Sequence, residues 1–253
     1  MQSSTNMRHF IITGVLVVIT TFLLDALLSA ALPLPLQASI EALTIDAMIG
    51  WHVLLIAFLF ALVFVFMIYA IIVFRKREGD DEEGEHFHGH LGLEVGWTVA
   101  PVILVLIFCV YGVQSLNEIT KVEENEMVVT ATGFQWAWSF EYPVGEDESF
   151  IDTTLVLPVN ANILMELEST DVLHSFWVPE FRVKQDLVPG QTTNLRFTPS
   201  VPGEYKLRCA ELCGLTHWNM LATVLVLEQA EYDDWYSQKL AENNINVETL
   251  ASK

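Results

Sequence analysis

Two thiols, an imidazole and a thioether stand within twelve residues: Cys209, Cys213, His217 and Met220. A second imidazole, His174, lies 35 residues before Cys209 and is followed by Ser175-Phe176-Trp177-Val178-Pro179. Thiolate, thioether and imidazole together suit copper, whereas zinc more often takes four Cys or His ligands without methionine. A mononuclear blue-copper site uses one Cys, two His and a weak axial Met, which would leave one thiol surplus. If both sulfurs bridge a pair of coppers, every donor finds a use. His174 and His217 each terminate one metal, Met220 is axial to one, and the backbone carbonyl of Glu211 is placed for the other. Bridging spreads the odd electron over both metals, so bond lengths change little on reduction and transfer over a distance can be fast. The competing reading is a structural disulfide between Cys209 and Cys213, which an oxidising exterior would permit. The thiols alone favour that reading, and His174, His217 and Met220 argue against it. The third cysteine, Cys109, sits in an apolar run and reads as an inert core thiol.

Any such site needs elements to hold it. From Met127 onward the chain breaks into strand-length pieces: Ile163, Met165 and Leu167 alternate with other residues, as do Leu195 and Phe197, then Tyr205 and Leu207. Pro158, Pro189-Gly190, Pro199 and Pro202-Gly203 punctuate them, and the pattern predicts an antiparallel sandwich or barrel. Tyr232, Trp235, Tyr236 and Leu240 then share a helical face.

The preceding half is apolar. Ala47 to Phe74 carries no Asp, Glu, Lys or Arg and ends at Arg75-Lys76-Arg77; Trp97 to Leu116 is a second uncharged run, with Pro101 in what would be its early turns. By the positive-inside rule the loop over 75–93 faces the cytoplasm, so everything after Leu116 lies outside. Phe10 to Leu36, broken only by Asp25, is either a signal peptide or a third helix with its N-terminus inside; the absence of a clean cleavage motif favours the helix. In the loop, His86, His88 and His90 alternate beside an acidic run, a composition that can bind metal but equally suits a polar linker. The expected organisation is therefore an N-terminal apolar segment over 1–46, a helical hairpin over 47–116, a β domain over 117–229 and a C-terminal helix and tail over 230–253.

Taken with this layout, Cys209-Ala-Glu211-Leu-Cys213, His217, Met220 and the upstream His174 resemble the dinuclear CuA site of cytochrome c oxidase subunit II. The resemblance runs over roughly Ala47 to Trp235. It implies a transmembrane hairpin of two helices, or three if the first segment stays, followed by an all-β cupredoxin-like Greek-key sandwich. It implies copper at His174, Cys209, Glu211 (backbone carbonyl), Cys213, His217 and Met220. The Glu211 side chain matches the family's ligand to a magnesium ion shared with subunit I. Gly133-Phe134-Gln135-Trp136-Ala137-Trp138 resembles the family's aromatic stretch, which makes Trp136 the point where electrons arrive. From strand alternation alone, Trp136 and Trp138 would share a face and pack the sandwich. Glu141, Asp171 and Asp186 match acidic family positions, of which Glu141 and Asp171 are expected at the docking surface. Glu94 matches an acid near a proton-uptake path in subunit I; read locally it is an acid at a helix N-terminus.

Across 253 residues the net charge is −20, and the stretch from Asn117 onward holds 22 acidic against 8 basic residues. That field excludes nucleic acid and attracts cationic partners, such as a cytochrome c. No Cys-x-x-Cys-His and no set of paired histidines in the helices suggest haem binding, so oxygen chemistry and proton pumping fall to a partner, subunit I of the oxidase. The expected setting is the plasma membrane of a prokaryote or an equivalent energy-transducing membrane. Three rivals are a copper subunit of a nitric-oxide-reducing relative, a quinol oxidase subunit, which would lack the copper donors present here, and a membrane copper carrier with an exchangeable site.

Overall fold

The structure, a computed structural model, describes residues 2–79, 88–145 and 148–245. His86 of the histidine-bearing loop lies outside them, and His88 and His90 are exposed. The chain divides into two compact units, Met1–Leu34 with Asp46–Val113, and Pro35–Ile45 with Gln114–Lys253.

Three long helices dominate the first half of the chain: α1 (Gln2–Ala31), α2 (Ile40–Val73) and α3 (Leu91–Ile119). Each is long and apolar enough to cross a membrane. The segment Phe10 to Leu36 thus contributes a third helix. The 34 residues of α2 reach about 51 Å at 1.5 Å per residue, well beyond a hydrocarbon core of about 30 Å. Both α2 and α3 therefore begin earlier than their uncharged runs, at Ile40 rather than Ala47 and at Leu91 rather than Trp97. Pro101 consequently stands inside α3 rather than in its early turns. It withdraws one intrahelical donor, which spanning helices tolerate when neighbours or side chains meet the freed carbonyl.

Within this unit small residues face inward and large ones outward. Ala57, Ala61 and Val17 are buried, while Phe58, Phe60 and Phe64 are exposed. Small residues let helix backbones approach closely, and lipid welcomes the aromatic side chains left outside. Thr13 and Thr21, also buried, return their hydroxyls to carbonyls of their own helix. His9 and Tyr69 are joined at 2.7 Å. Cys109, expected in a core, is exposed on α3 instead: α3 has few partners within the chain, so most of its apolar surface faces outward.

The second unit is a two-sheet sandwich. One sheet runs β3 (Glu148–Asp152), β2 (Ala137–Val144), β1 (Met127–Phe134), β5 (Ile163–Ser169), β8 (Thr193–Phe197). The other runs β4 (Leu155–Pro158), β10 (Leu221–Leu227), β9 (Gly203–Cys209), β6 (His174–Val178), β7 (Val183–Leu187). The expectation of a purely antiparallel arrangement needs correcting, because β1 with β5 and β4 with β10 are parallel. The chain changes sheet repeatedly, between β3 and β4, β4 and β5, β5 and β6, for example, and such crossovers free neighbouring strands from the hairpin constraint. Inward residues alternate along the strands: Trp138, Phe140 and Tyr142 on β2, Ile163, Met165 and Leu167 on β5, Tyr205 and Leu207 on β9. Tyr142 is buried yet satisfied, accepting from Val156 N–H (2.7 Å) and donating to the Val156 carbonyl (3.1 Å). Edge strand β4 is buried throughout. Helix α4 (Gln229–Glu242) contacts β4, and covering an edge this way prevents stray pairing. Its Trp235 meets Tyr142 edge-on at 5.3 Å.

Residues Pro35–Ile45, the end of the α1–α2 connection and the first residues of α2, belong to the β unit. Ala38 N–H donates to the Glu180 carbonyl (3.0 Å), Ser200 N–H to the Ala38 carbonyl (2.9 Å) and Ile40 N–H to the Thr198 carbonyl (3.0 Å). Ser39, 1% exposed, donates its hydroxyl to the Phe181 carbonyl at 2.9 Å. The Arg182 guanidinium donates to the carbonyls of Pro35, Leu36 and Pro179.

Candidate metal centre

The donors gather at one end of the second sheet. His174 opens β6, Cys209 closes β9, and the loop from Ala210 to Met220 leads back into β10. One register pair and two backbone bonds fix this end: Phe176 stands opposite Cys209 across β6 and β9, Ala210 N–H donates to the Ser175 carbonyl at 3.0 Å, and Cys209 N–H to the Met220 carbonyl at 3.1 Å. A single 3-10 turn, His217–Asn219, brings His217 and Met220 back toward the cysteines.

All six expected copper donors converge. The Cys209 and Cys213 sulfurs are unbonded and 3.7 Å apart. His174 Nδ1 lies 3.7 Å from the Cys209 sulfur and His217 Nδ1 3.5 Å from the Cys213 sulfur. The Glu211 carbonyl is 3.3 Å from Cys209, and the Met220 thioether 3.7 Å from Cys213. His174, Cys209 and Cys213 present ligand atoms all within 4.8 Å of one another, and all three are buried. Two thiols, two imidazoles, a thioether and a carbonyl form a soft, mixed set that fits copper better than zinc. Burial, and then the neighbouring Cys209 thiol, push the Cys213 thiol up to about 12. A metal must therefore displace protons to bind there.

Behind the donors lies a bracket that the sequence did not announce. His174 Nε2–H donates to Asp171 Oδ1 at 2.8 Å. The other Asp171 oxygen accepts the Gln135 backbone N–H at 2.7 Å, and Val172 N–H reaches Oδ1 at 2.6 Å. Burial works to raise the Asp171 carboxyl, but the bonds from His174, Gln135 and Val172 outweigh it and hold it below the usual carboxylate range. Gln135 Nε2 and Trp136 Nε1 both donate to the Cys213 carbonyl, at 2.7 and 3.2 Å. Glycines make room for this: Gly214 has φ +121°, and a Cβ there would come within 2.9 Å of Gln135 Nε2. A Cβ on Gly133 would press on Leu187 at 3.0 Å and on the His174 ring at 3.2 Å.

The two tryptophans part company. Residues 135–136 form the turn between β1 and β2, so strand alternation does not link Trp136 to Trp138. Trp138 is 3% exposed and packs edge-on against Phe176, whereas Trp136 is 38% exposed above the Cys213 carbonyl. Around it the loop presents Leu212, Leu215 and Trp218 to solvent, an apolar patch that sequence reasoning missed because such residues usually signal core.

The remaining expected residues are more scattered. Glu141 lies on the exposed face of β2, where its carboxylate accepts the Ser149 hydroxyl of β3 rather than meeting the metal donors. The Glu94 carboxylate accepts the His90 backbone N–H at 3.2 Å, at the start of α3, which is the bond of a helix-capping acid. Ser175 and Asp186 are opposed across β6 and β7, and the Ser175 hydroxyl and one Asp186 oxygen are buried without a hydrogen-bond partner.

Comparison with known proteins adds a family. The family model described as "Cytochrome C oxidase subunit II, transmembrane domain" matches residues 28–116, and that described as "Cytochrome C oxidase subunit II, periplasmic domain" matches residues 145–227. A cytochrome c oxidase subunit 2 of Alkalihalophilus pseudofirmus is 38% identical over 198 residues, covering 75% of this chain and 57% of that relative. An alternative cytochrome c oxidase subunit 2 of Bradyrhizobium diazoefficiens is 30% identical, covering 72% of this chain and 75% of the relative. Among solved structures, the periplasmic domain of subunit II of cytochrome oxidase from Bradyrhizobium japonicum matches at 30% identity and a TM-score of 0.44, covering 48% of this chain and 98% of that one.

Proposed function

Given that this chain belongs to the cytochrome c oxidase subunit II family, we propose that it is the electron-accepting subunit of a haem-copper oxidase, a membrane-anchored oxidoreductase component. The observation that carries this is the convergence of six soft and borderline donors around Cys209 and Cys213. His174, Cys209, the Glu211 carbonyl, Cys213, His217 and Met220 would hold a dinuclear copper centre, which takes up and releases single electrons. The chain supplies the surroundings. His174 and Met220 are 0% exposed and Cys213 2%, so water is kept from the donors on the protein side, and the strand-held ligands stay in place between redox states. Trp136 joins solvent to the Cys213 carbonyl through its indole N–H, which suits it as the point where the donor's electron arrives.

The donor in this reading is a cationic carrier such as cytochrome c, drawn by the acidic surface to which Glu141 and Asp171 contribute. The acceptor is haem in subunit I, where oxygen is reduced and protons are pumped. In the interface with subunit I the Glu211 side chain would offer one ligand to a shared magnesium. Glu94 would stand near a proton-uptake path while capping α3. The positive-inside pattern puts the β unit on the outer, periplasmic side of a prokaryotic plasma membrane.

Metal analysis and EPR of the purified membrane complex test this. A pair of coppers per chain beyond those of other subunits, with a seven-line hyperfine pattern at g-parallel, is the expected result. A four-line, single-copper signal, or a copper-free chain with a Cys209–Cys213 disulfide, would overturn it.

A further inference from the structure

Asp171 was expected only as a docking acid, yet its two oxygens are turned into the protein. One accepts His174 Nε2–H at 2.8 Å and Val172 N–H at 2.6 Å; the other accepts Gln135 N–H at 2.7 Å. His174 is wholly buried, and the Asp171 side chain is 28% exposed. All three partners are donors, so only a group with acceptors on both oxygens satisfies them together. The consequence for the imidazole is specific. With Nε2 carrying the proton, Nδ1 is the unprotonated nitrogen, and Nδ1 is the one that faces the Cys209 sulfur. A carboxylate behind a metal-binding histidine fixes its tautomer and ring orientation and makes the free nitrogen a stronger donor.

The same carboxylate reaches a second element. Through the Gln135 N–H it seats the β1–β2 turn, whose Gln135 and Trp136 side chains both donate to the Cys213 carbonyl. One side chain therefore ties a strand-borne donor, His174, to the turn that lies over the loop-borne donor, Cys213.

We infer that Asp171 is a positioning residue of the copper centre: it sets the His174 tautomer and, through Gln135, the seat of Trp136, beyond any share it has in the surface field. This rests on the copper reading of the site. Asp171→Asn nearly preserves size but puts an NH2 where one of three donors must be met. In the assembled oxidase this variant is expected to hold copper about 10- to 100-fold more weakly against a chelator, the range usual for loss of such a partner. Its optical and EPR spectra shift, and its reduction potential rises as His174 becomes a poorer donor. The KM for a cationic carrier and its salt dependence change no more than Glu141→Gln changes them, so the copper readouts carry the test.

Asp171→Glu separates charge from geometry. It keeps the negative charge while moving the carboxylate by one methylene, so the spectrum should shift while salt dependence does not. Glu141→Gln serves as the converse, with an unchanged spectrum and a shallower salt dependence. The inference is overturned if the Asn and Glu variants both keep the unmodified copper affinity and spectrum, whatever happens to KM. A complex whose unmodified subunit lacks the dinuclear signal would instead overturn the copper reading itself, so the two failures are distinguishable. Haem content and subunit stoichiometry of each variant show that the complex assembled. If Asp171→Asn does not assemble, Asp171→Glu decides alone.

Discussion

The two imidazoles of the site are held in different ways. His174 is part of a strand, 0% exposed, with Trp138 edge-on to its ring and a carboxylate gripping it from behind. His217 begins a single 3-10 turn within the loop from Ala210 to Met220, is only half-buried, and places its Nδ1 3.5 Å from the Cys213 sulfur. The strand half is fixed by the sandwich; the loop half is fixed by the strand half, through the Gln135 and Trp136 bonds to the Cys213 carbonyl. Rigidity thus passes in one direction, from the sheet toward the surface where a partner must approach.

Removing each imidazole gives the largest effect and the sharpest test of that asymmetry. His174→Gly and His217→Gly should each abolish the dinuclear signal. Added free imidazole is expected to restore purple absorbance to the His217 variant, whose cavity opens toward solvent, but not to the His174 variant, whose cavity is sealed. Equal rescue of both, followed by optical titration, would remove the distinction. Next come the glycines that each half requires. Gly133→Ala presses a methyl against Leu187 and the His174 ring, and overpacking of this kind costs roughly 1–3 kcal/mol. Gly214→Ala adds strain at φ +121° and crowds Gln135 and Trp136. The first should lower the melting temperature of the β unit and perturb the copper spectrum together, while the second chiefly slows reduction by the donor. Calorimetry and stopped-flow reduction read the two effects separately.

The smallest effect lies far from both halves. Asp152 and Lys239 pair at 3.0 Å. Burial acts to raise the Asp152 carboxyl, but the Thr154 amide and then Lys239 outweigh it and leave it below its ordinary value. Bonds to Asp152, then Glu242, raise Lys239. A depressed carboxyl stabilises the fold above its unfolded pKa and loses that contribution as pH falls through the folded value; a raised ammonium does so below its unfolded pKa and loses it as pH rises through the folded value. Asp152→Asn should therefore cost about 0.2–1 kcal/mol at neutral pH, and the gap should close in acid below the usual carboxylate range and in strong alkali. Unfolding curves across pH check this, and the copper spectrum should not respond.

The donors were legible because their chemistry is carried by residue type and because five of the six lie in one twelve-residue stretch. The sandwich was legible from alternation and turn residues. What escaped depended on how distant segments meet. Asp171 and Gln135 are 36 residues apart, and nothing in their types or spacing says that one carboxylate serves both His174 and a turn. Trp136 and Trp138 are two apart, which in a continuous strand puts them on one face, but the turn at 135–136 separates them. Parallel pairing of β1 with β5 leaves no mark on alternation, which is the same for either direction. The early starts of α2 and α3 were hidden because charge marks where lipid ends, not where a helix does.

Residues Pro35–Ile45 give the β unit a history as well as a floor. Ala38, Ser39, Ile40 and Glu41 are bonded to Glu180, Phe181, Thr198 and Ser200, so the segment leading into α2 finds its partners only after roughly a hundred and forty further residues have been synthesised. During translation this short stretch must wait outside the membrane, its backbone donors met by water, while two helices are inserted and most of the strands emerge. The sandwich is finished by its oldest piece, and a fragment cut from the chain after α3 would be missing it.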